Sequence, residues 1–231
     1  MEKKTFAAGS RTVTLYPAEM PDAPLIVYNT FAGDGSDVAD RLQALGAPAH
    51  HLLVVSGIDW YHDMSPWQCD ALSKKEPPCT GGADAYLAVL QQEILPHALE
   101  LLGGKPGFTG IAGYSLAGLF AVYALYQCDA FDRAASMSGS MWFPGFQDFV
   151  QTHTMQRTPA KLYLSVGDRE ARTRHPLLRT VQENTEQLAK LYRASGIDVT
   201  FALNPGNHFQ EPELRTAKGI LDLLNRDRIC R

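Results

Sequence analysis

The sequence has little of what marks secreted, membrane or nucleic-acid-binding proteins. Its 231 residues include four cysteines without C-x-x-C spacing, which are too few for a disulfide framework. No apolar run approaches the roughly 20 residues that cross a bilayer, and the beginning, MEKKTFAAGSRTV, lacks the apolar core of a secretory signal. The formal net charge is −4 without a basic stripe, which argues against binding to nucleic acid. We therefore expect a cytoplasmic protein with neither nucleic acid nor a membrane as a partner.

Two of the cysteines, Cys69 and Cys79, lie in the same loop and could form a disulfide. Reduced thiols are nevertheless expected for a protein of the cytoplasm. The sequence leaves the pairing of these two residues open, and it leaves the oligomeric state open as well.

The sequence does contain the alternation of elements that is typical of an α/β protein. Its hydrophobic content of 45% and charged content of 20% are those of ordinary globular proteins. Nearly continuous apolar runs such as 25–28 and 161–166 predict buried strands, and amphipathic runs between such strands predict helices. Segments 4–8 and 12–16 alternate in polarity and predict an antiparallel hairpin at a sheet edge. We predict one domain, residues 1–231, with a mainly parallel central sheet and helices on both faces.

Three stretches depart from this simple alternation. Residues 59–82 form a long loop rich in Trp, Pro, Asp and Cys, and loops of this length in compact domains are usually functional or disordered. Residues 141–159, which contain several aromatic side chains, are predicted to be irregular. The amphipathic run 85–102 predicts a helix that Pro96 is expected to kink or break near its middle.

A serine between a predicted strand and a predicted helix is the first sign of chemistry. Ser115 lies between Gly113 and Ala117, and a sharp strand-to-helix turn of the nucleophile-elbow type needs small residues at these two positions. The serine would start the helix, where unpaired backbone N–H groups favour developing negative charge. The N–H of Leu116 is the expected oxyanion donor. The other interpretation of the pattern is an ordinary tight turn without catalytic function.

Candidates for a general base and an acid follow the serine in chain order. A serine hydroxyl is a weak nucleophile that needs a base, which an acid must orient. His208 follows the predicted strand 199–203, at the edge of the sheet where Ser115 lies, whereas most other histidines enter strands, lie in a helix or occupy polar connections. Two acids follow the strand 161–166. Glu170 is favoured because its side chain reaches further, and Asp168, which could simply form a turn, remains the alternative.

Two further loops should complete this site. The loop after the strand 25–28 should supply a second oxyanion donor, the backbone N–H of Thr30 or Phe31, although Phe31 could instead pack under the loop. Trp60, Asp63 and Trp67 in the long loop are predicted to contact the substrate, although loop aromatics equally often form a core of their own. The acidic and histidine side chains there lack a recognised metal-ligand spacing, so no metal is predicted.

With these residues assembled, the chain resembles the Putative esterase family of α/β-hydrolases. This group includes enterochelin esterases, esterase D-like enzymes, feruloyl esterases and mycolyltransferases. Four segments carry the resemblance: GGADAYL at 81–87, GYSLAGL at 113–119, VGDRE at 166–170 and NPGNHF at 204–209. The similarity extends over most of the chain from about Pro24 onward.

The resemblance implies an α/β-hydrolase fold and a serine hydrolase that cleaves a small-molecule carboxylic ester without a cofactor. It implies Ser115 as nucleophile, His208 as base and Glu170 as acid. The chain departs from the family where Ala117 replaces the usual glycine and where Asn29-Thr30 replaces the usual His-Gly or Asp-Gly. Two alternatives are acyl transfer by the same residues and an inactive homologue that only binds a ligand.

Overall fold

The computed structural model describes residues 2–225, and one large sheet dominates it. The eight strands of this sheet and the two strands of a small ribbon are β1 Lys4–Ala8, β2 Arg11–Tyr16, β3 Leu25–Asn29, β4 His51–Ser56, β5 Gln68–Cys69, β6 Cys79–Thr80, β7 Thr109–Tyr114, β8 Arg133–Met137, β9 Lys161–Gly167 and β10 Asp198–Asn204. The α-helices are α1 Ser36–Ala44, α2 Trp60–Asp63, α3 Ala83–Val89, α4 Leu95–Leu102, α5 Leu116–Gln127, α6 Phe146–Thr152, α7 Val181–Ala194 and α8 Pro212–Leu224. A π-helical turn, Leu90–Ile94, joins α3 to α4, and a 3₁₀ turn, Leu178–Thr180, precedes α7.

The large sheet has the strand order β1-β2-β4-β3-β7-β8-β9-β10. Every pairing from β4 to β10 is parallel, whereas β1 pairs with β2 and β2 with β4 in antiparallel fashion. The predicted mainly parallel sheet is therefore confirmed, and so is the antiparallel hairpin at its edge. Because the carboxyl ends of β3, β7, β8, β9 and β10 lie at one edge of the sheet, the loops that follow them meet there.

Helices cover both faces of the sheet, as predicted. Alternate residues of a strand point to opposite faces, so Leu25 and Val27 of β3 join one hydrophobic cluster while Ile26 and Tyr28 join the other. The first cluster includes residues of α3, α5 and α7, and the second includes residues of α1 and α8. Burial on both faces explains why these strands read as continuous apolar runs.

Helix α5 is the best-covered helix of the fold. Each of its residues from Leu116 to Tyr126 is buried, because one side packs on β7 and β8 while the other side faces α3. At Gly118 a Cβ atom would lie 2.8 Å from Ser136 Oγ and 2.9 Å from Gly139 Cα. Glycine thus lets the first turn of α5 approach the sheet closely, which fixes the position of the residue just before the helix.

The helical segment before β7 is interrupted near Pro96, as the sequence predicted. The π-helical turn Leu90–Ile94 ends two residues before Pro96, which occupies the first turn of α4. Proline has no N–H to donate to the preceding turn, and a π-turn is one way to accommodate that missing bond.

The structure corrects the prediction that residues 141–159 are irregular. Phe146–Thr152 is the helix α6, and its phenylalanines join a tertiary aromatic cluster with Trp67. The long loop 59–82 also has more structure than predicted, since it contains α2 and the β5–β6 ribbon. Within the described residues, none of the helices combines the length and apolar character needed to cross a membrane.

Candidate active site

Ser115 occupies a strained turn between β7 and α5. Its φ of 58° and ψ of −123° lie in a region that non-glycine residues rarely adopt. A Cβ atom at Gly113 would collide with the backbone carbonyl of Ala117. The two small residues on either side of the serine are therefore packed directly against each other, which is why this turn needs small side chains at both positions.

Three side chains from three different loops form one hydrogen-bonded chain. Ser115 Oγ lies 3.1 Å from His208 Nε2, and His208 Nδ1 lies 2.8 Å from Glu170 Oε2. Ser115 follows β7, Glu170 follows β9 and His208 follows β10. The arrangement has the connectivity of a nucleophile, a base and an orienting acid.

The two candidate acids occupy different environments. Glu170 is the carboxylate beside His208, whereas Asp168 Oδ1 accepts a hydrogen bond from the N–H of Gly206 at 2.7 Å. Asp168 also lies 3.9 Å from the guanidinium of Arg169. Its contact with Gly206 joins the loops after β9 and β10, which is a long-range contact and not the local turn that the sequence suggested.

Glu170 is held by more partners than His208 alone. Its Oε1 accepts hydrogen bonds from the N–H of Gly167 at 2.6 Å, from Ser138 Oγ at 2.7 Å and from Arg215 Nη1 at 3.1 Å. Burial opposes the ionisation of Glu170, but its hydrogen bonds and the nearby imidazole together lower its pKa below the ordinary value of 4.5. The side chain is thus kept as a carboxylate, with Oε2 directed at the histidine.

Sequence reasoning missed Ser138, Arg215 and Tyr114. Ser138 follows β8 with a φ of 45°, and Arg215 lies on the buried face of α8, where it is 3% exposed. Tyr114 directly precedes the serine and donates a hydrogen bond from its hydroxyl to the backbone carbonyl of His208 at 2.7 Å. An arginine among the apolar positions of the last helix was the one signal that the sequence offered for this group.

The two predicted oxyanion donors lie at the same edge as the serine. Leu116 is the first residue of α5, and helix geometry leaves its N–H without an intrahelical acceptor. On the neighbouring strand Asn29 pairs with Gly113, so the residues that follow β3 run beside the elbow. The N–H of Thr30 is donated to the carbonyl of Val55 at 3.0 Å, which leaves Phe31 as the candidate in this loop.

Phe31 does not pack under its loop. Its side chain is 66% exposed, and its ring stands edge-on to Trp60 with 5.3 Å between centroids. Phe209, next to the histidine, is 86% exposed. Large exposed aromatic side chains thus lie beside Trp60 and beside His208, two residues of the cavity lining.

A cavity of about 310 Å³ opens beside Ser115 and His208. Trp60 lines it, together with apolar side chains of the long loop and of the segments around the starts of α6 and α7. The remaining lining residues are Tyr61, Asp70, Leu72, Glu76, Pro77, Cys79, Leu116, Ser138, Ser140, Trp142, Glu170, Leu178, Val181 and Phe209. Among the described residues 2–225, no lysine or arginine lines the cavity, and the two loop carboxylates of the lining, Asp70 and Glu76, are exposed.

Asp63 and Trp67 do not line this cavity. Asp63 is buried and forms an ion pair with Arg11 at 2.7 Å, which joins the long loop to the hairpin. Trp67 Nε1 donates a hydrogen bond to the carbonyl of Pro144 at 2.9 Å. The ring of Trp67 also packs against four aromatic side chains, Tyr123, Phe143, Phe146 and Phe149. Both residues thus make contacts that hold the loop in place.

The ribbon at the outer side of the cavity brings two thiols together. Cys69 and Cys79 are directly paired residues of the antiparallel strands β5 and β6, and both are free cysteines. Burial raises the pKa of Cys79 to about 11 and raises that of Cys69 as well. The fourth cysteine, Cys230, lies outside the described residues. Among residues 2–225, no group of three or more His, Cys, Asp or Glu side chains is arranged to hold a metal ion.

Comparison with solved structures identifies the fold. EstA, a siderophore hydrolase from Aspergillus nidulans, matches with a TM-score of 0.72 at 20% identity, over 97% of this chain and 94% of EstA. An IroE-like serine hydrolase from Shewanella oneidensis matches with a TM-score of 0.78 at 17% identity, over 96% of this chain and 80% of that protein. FES, an enterobactin esterase from Shigella flexneri, has a structure in the presence of enterobactin. It matches with a TM-score of 0.70 at 18% identity, over 96% of this chain and 58% of FES.

These likenesses show that the chain has the α/β-hydrolase fold. None of the curated proteins matches it in sequence. A family model described as Putative esterase matches residues 33–210, which is more than half of the chain. The chain therefore belongs to the Putative esterase family and is an esterase.

Proposed function

We propose that the chain hydrolyses a carboxylic ester through an acyl-enzyme formed on Ser115. The observation that carries this proposal is the hydrogen-bonded chain from Ser115 Oγ through the His208 imidazole to Glu170 Oε2. Ser115 Oγ attacks the ester carbonyl while His208 Nε2 takes the hydroxyl proton, and the same imidazole then gives that proton to the departing alcohol. A water molecule then attacks the acyl-enzyme carbonyl while His208 Nε2 takes its proton. The imidazole returns that proton to Ser115 Oγ, and the carboxylic acid is released. These steps need no cofactor.

The negative charge of the tetrahedral intermediate needs donors that are in place before the reaction. We assign this role to the backbone N–H groups of Leu116 and Phe31. The start of α5 supports the first assignment, because the helix dipole adds to the effect of the N–H. The β3–β7 register and the engagement of Thr30 with Val55 support the second.

The cavity beside Ser115 favours a small ester with an apolar group as the substrate. Trp60, Trp142 and the aliphatic lining residues favour such a group. The part of the lining that the structure describes holds no lysine or arginine and therefore offers little to a strongly anionic group. Two of the structural neighbours are a siderophore hydrolase and an enterobactin esterase. A siderophore ester is therefore one class to test, and uncharged siderophores fit this cavity better than polyanionic ones.

The proposal is tested by turnover of an uncharged p-nitrophenyl ester by the wild type and by Ser115→Ala. We expect the substitution to reduce kcat by at least about 10⁴-fold while thermal unfolding stays unchanged, because the nucleophile is lost. Ser195→Ala is the matched control, since Ser195 lies exposed at the end of α7. Equal turnover by the wild type and Ser115→Ala would contradict the proposal.

A further inference from the structure

Arg215 is a buried cation that the proposed reaction does not use. It lies in the first turn of α8 and is 3% exposed, among the buried neighbours Thr216, Ala217 and Gly219. Burying a guanidinium without partners costs several kcal/mol. Its position is therefore explained only by the groups that it contacts.

Those groups all belong to the proposed active site or to its immediate supports. Nη1 of Arg215 donates to Glu170 Oε1 at 3.1 Å, to Ser138 Oγ at 3.1 Å and to Tyr114 Oη at 3.3 Å. Nη2 donates to the backbone carbonyl of Pro205 at 2.7 Å. A single side chain thus joins the end of β7 to the loops that follow β8, β9 and β10.

The two oxygens of the Glu170 carboxylate have different partners. Arg215, Ser138 and the N–H of Gly167 all bind Oε1, and only Oε2 faces His208. Ser138 donates to Oε1 while it accepts from Arg215, so the three groups form a closed triangle. Rotation of the carboxylate away from the imidazole would break all of these bonds.

The other contacts of Arg215 reach the histidine. Pro205 begins the loop that carries His208, and its carbonyl is held by Nη2. Tyr114 accepts from Nη1 and donates to the backbone carbonyl of His208. Its ring also lies 5.3 Å from the imidazole, centroid to centroid. The guanidinium therefore restrains the acid directly and the base through its loop.

We propose that Arg215 is a positioning residue that fixes Glu170 and the His208 loop as one unit and that balances the charge of Glu170 during catalysis. This inference rests on the proposed function, because it gives Arg215 a role in the same reaction. The alternative is a purely structural ion pair that only anchors α8 to the sheet. The two roles predict different values of kcat in correctly folded Arg215 variants: loss of a positioning residue lowers kcat, whereas loss of a structural ion pair does not.

The test compares the wild type with Arg215→Met and Arg215→Lys. Each protein is first titrated with a fluorophosphonate, so that kcat is expressed per reactive serine. For Arg215→Met we expect kcat per site to fall about 10- to 100-fold, with KM changed less than about threefold. The acid limb of kcat/KM should move to higher pH, because loss of the cation beside Glu170 favours the protonated, inactive state of the coupled Glu170–His208 pair.

The lysine variant separates charge from geometry. Arg215→Lys keeps the positive charge but loses the planar fork that reaches several acceptors at once. We expect its acid limb to return to that of the wild type, while kcat per site recovers only in part. An Arg215→Met protein whose kcat per site and acid limb both equal those of the wild type would overturn the proposal and leave a structural ion pair.

A second variant keeps the test decisive if Arg215→Met does not fold. Tyr114→Phe preserves the ion pair but removes the hydroxyl that links Arg215 to His208. We expect kcat per site to fall about threefold to tenfold with the acid limb unmoved. Unchanged kcat in both Tyr114→Phe and Arg215→Lys would overturn the proposal. A folded wild type that neither labels nor turns over would instead contradict the proposed function itself.

Discussion

The two sides of the cavity are built in different ways. One side, which we name the catalytic edge, holds the proposed catalytic residues Ser115, Glu170 and His208, which follow the strands β7, β9 and β10 of the sheet. The other side, the loop wall, is the segment 59–82. The pairing of parallel strands sets the relative positions of the residues at the catalytic edge. The loop wall is held instead by contacts with distant parts of the chain, such as those of Asp63 with Arg11 and of Trp67 with Pro144. The side chains at the catalytic edge are therefore not needed to hold that edge in place, whereas Asp63 and Trp67 of the loop wall make contacts that stabilise the wall.

The largest expected effect concerns the two acids of the catalytic edge. Glu170→Gln should lower kcat about 10³- to 10⁴-fold, because the amide cannot orient and balance the imidazolium. Asp168→Asn is the matched control, because Asp168 lies two residues before Glu170 and accepts a hydrogen bond from the N–H of Gly206. It should change kcat less than about threefold. Steady-state kinetics on one p-nitrophenyl ester measures both. The reverse order of effects would move the acid to Asp168.

The next prediction separates support from substrate contact in the loop wall. Trp67→Ala should lower the free energy of unfolding by about 2–4 kcal/mol, because the ring packs against four other aromatic side chains. The kcat per titrated site should remain near the wild-type value. Urea unfolding together with active-site titration measures the two quantities.

Trp60→Ala is the matched control from the same wall. Trp60 lines the cavity, so its loss should raise KM for an aromatic ester about threefold to tenfold and change the free energy of unfolding by less than about 1 kcal/mol. A raised KM for Trp67→Ala with unchanged stability would invalidate the distinction between the two tryptophans.

The smallest expected effect concerns the two thiols of the ribbon. Glutathione disulfide should oxidise Cys69 and Cys79 to an intramolecular disulfide, with two glutathione molecules formed, because directly paired antiparallel residues lie within disulfide reach. The bond would close the loop that carries Asp70, Leu72 and Glu76 of the cavity lining. We expect kcat/KM to change about twofold.

The pH dependence of this oxidation follows from the raised pKa of Cys79, which is about 11. The attacking species is the thiolate, and its fraction rises about tenfold per pH unit below the pKa. Oxidation should therefore be much faster at about pH 9.5 than at about pH 7.5. Mass spectrometry should show a loss of about 2 Da in wild type and in Cys128→Ser but not in Cys79→Ser. If wild type, Cys128→Ser and Cys79→Ser all formed mixed disulfides with glutathione and none lost about 2 Da, the pairing would be refuted.

The same contrast explains what could be predicted from the sequence. The hairpin, the parallel sheet and the tight turn at Ser115 follow local rules, such as alternation of polarity and small residues around the serine. The loop residues after β9 and β10 could be placed at the same edge because parallel strands end together. The sequence favoured Glu170 over Asp168 for the longer reach of its side chain, and the three-dimensional positions place Glu170 beside His208.

What could not be predicted depends on contacts between distant residues. Helix α6 begins after Gly145 and has only seven residues, and its aromatic side chains gain their burial from Trp67, far away in the chain. Trp60 and Trp67 look alike in sequence, yet only the fold shows that one lines the cavity. Arg215 gives no sign of its partners Ser138 and Glu170, which follow different strands.

The central claim is that Ser115 is a nucleophile activated by the His208–Glu170 pair. Its most direct test is reaction with a fluorophosphonate followed by peptide mass spectrometry, in wild type, Ser115→Ala and Glu170→Gln. We predict one adduct per chain on the peptide that contains Ser115, no adduct in Ser115→Ala and a much slower reaction in Glu170→Gln. An adduct on another residue, or equal labelling of Ser115→Ala, would contradict the account.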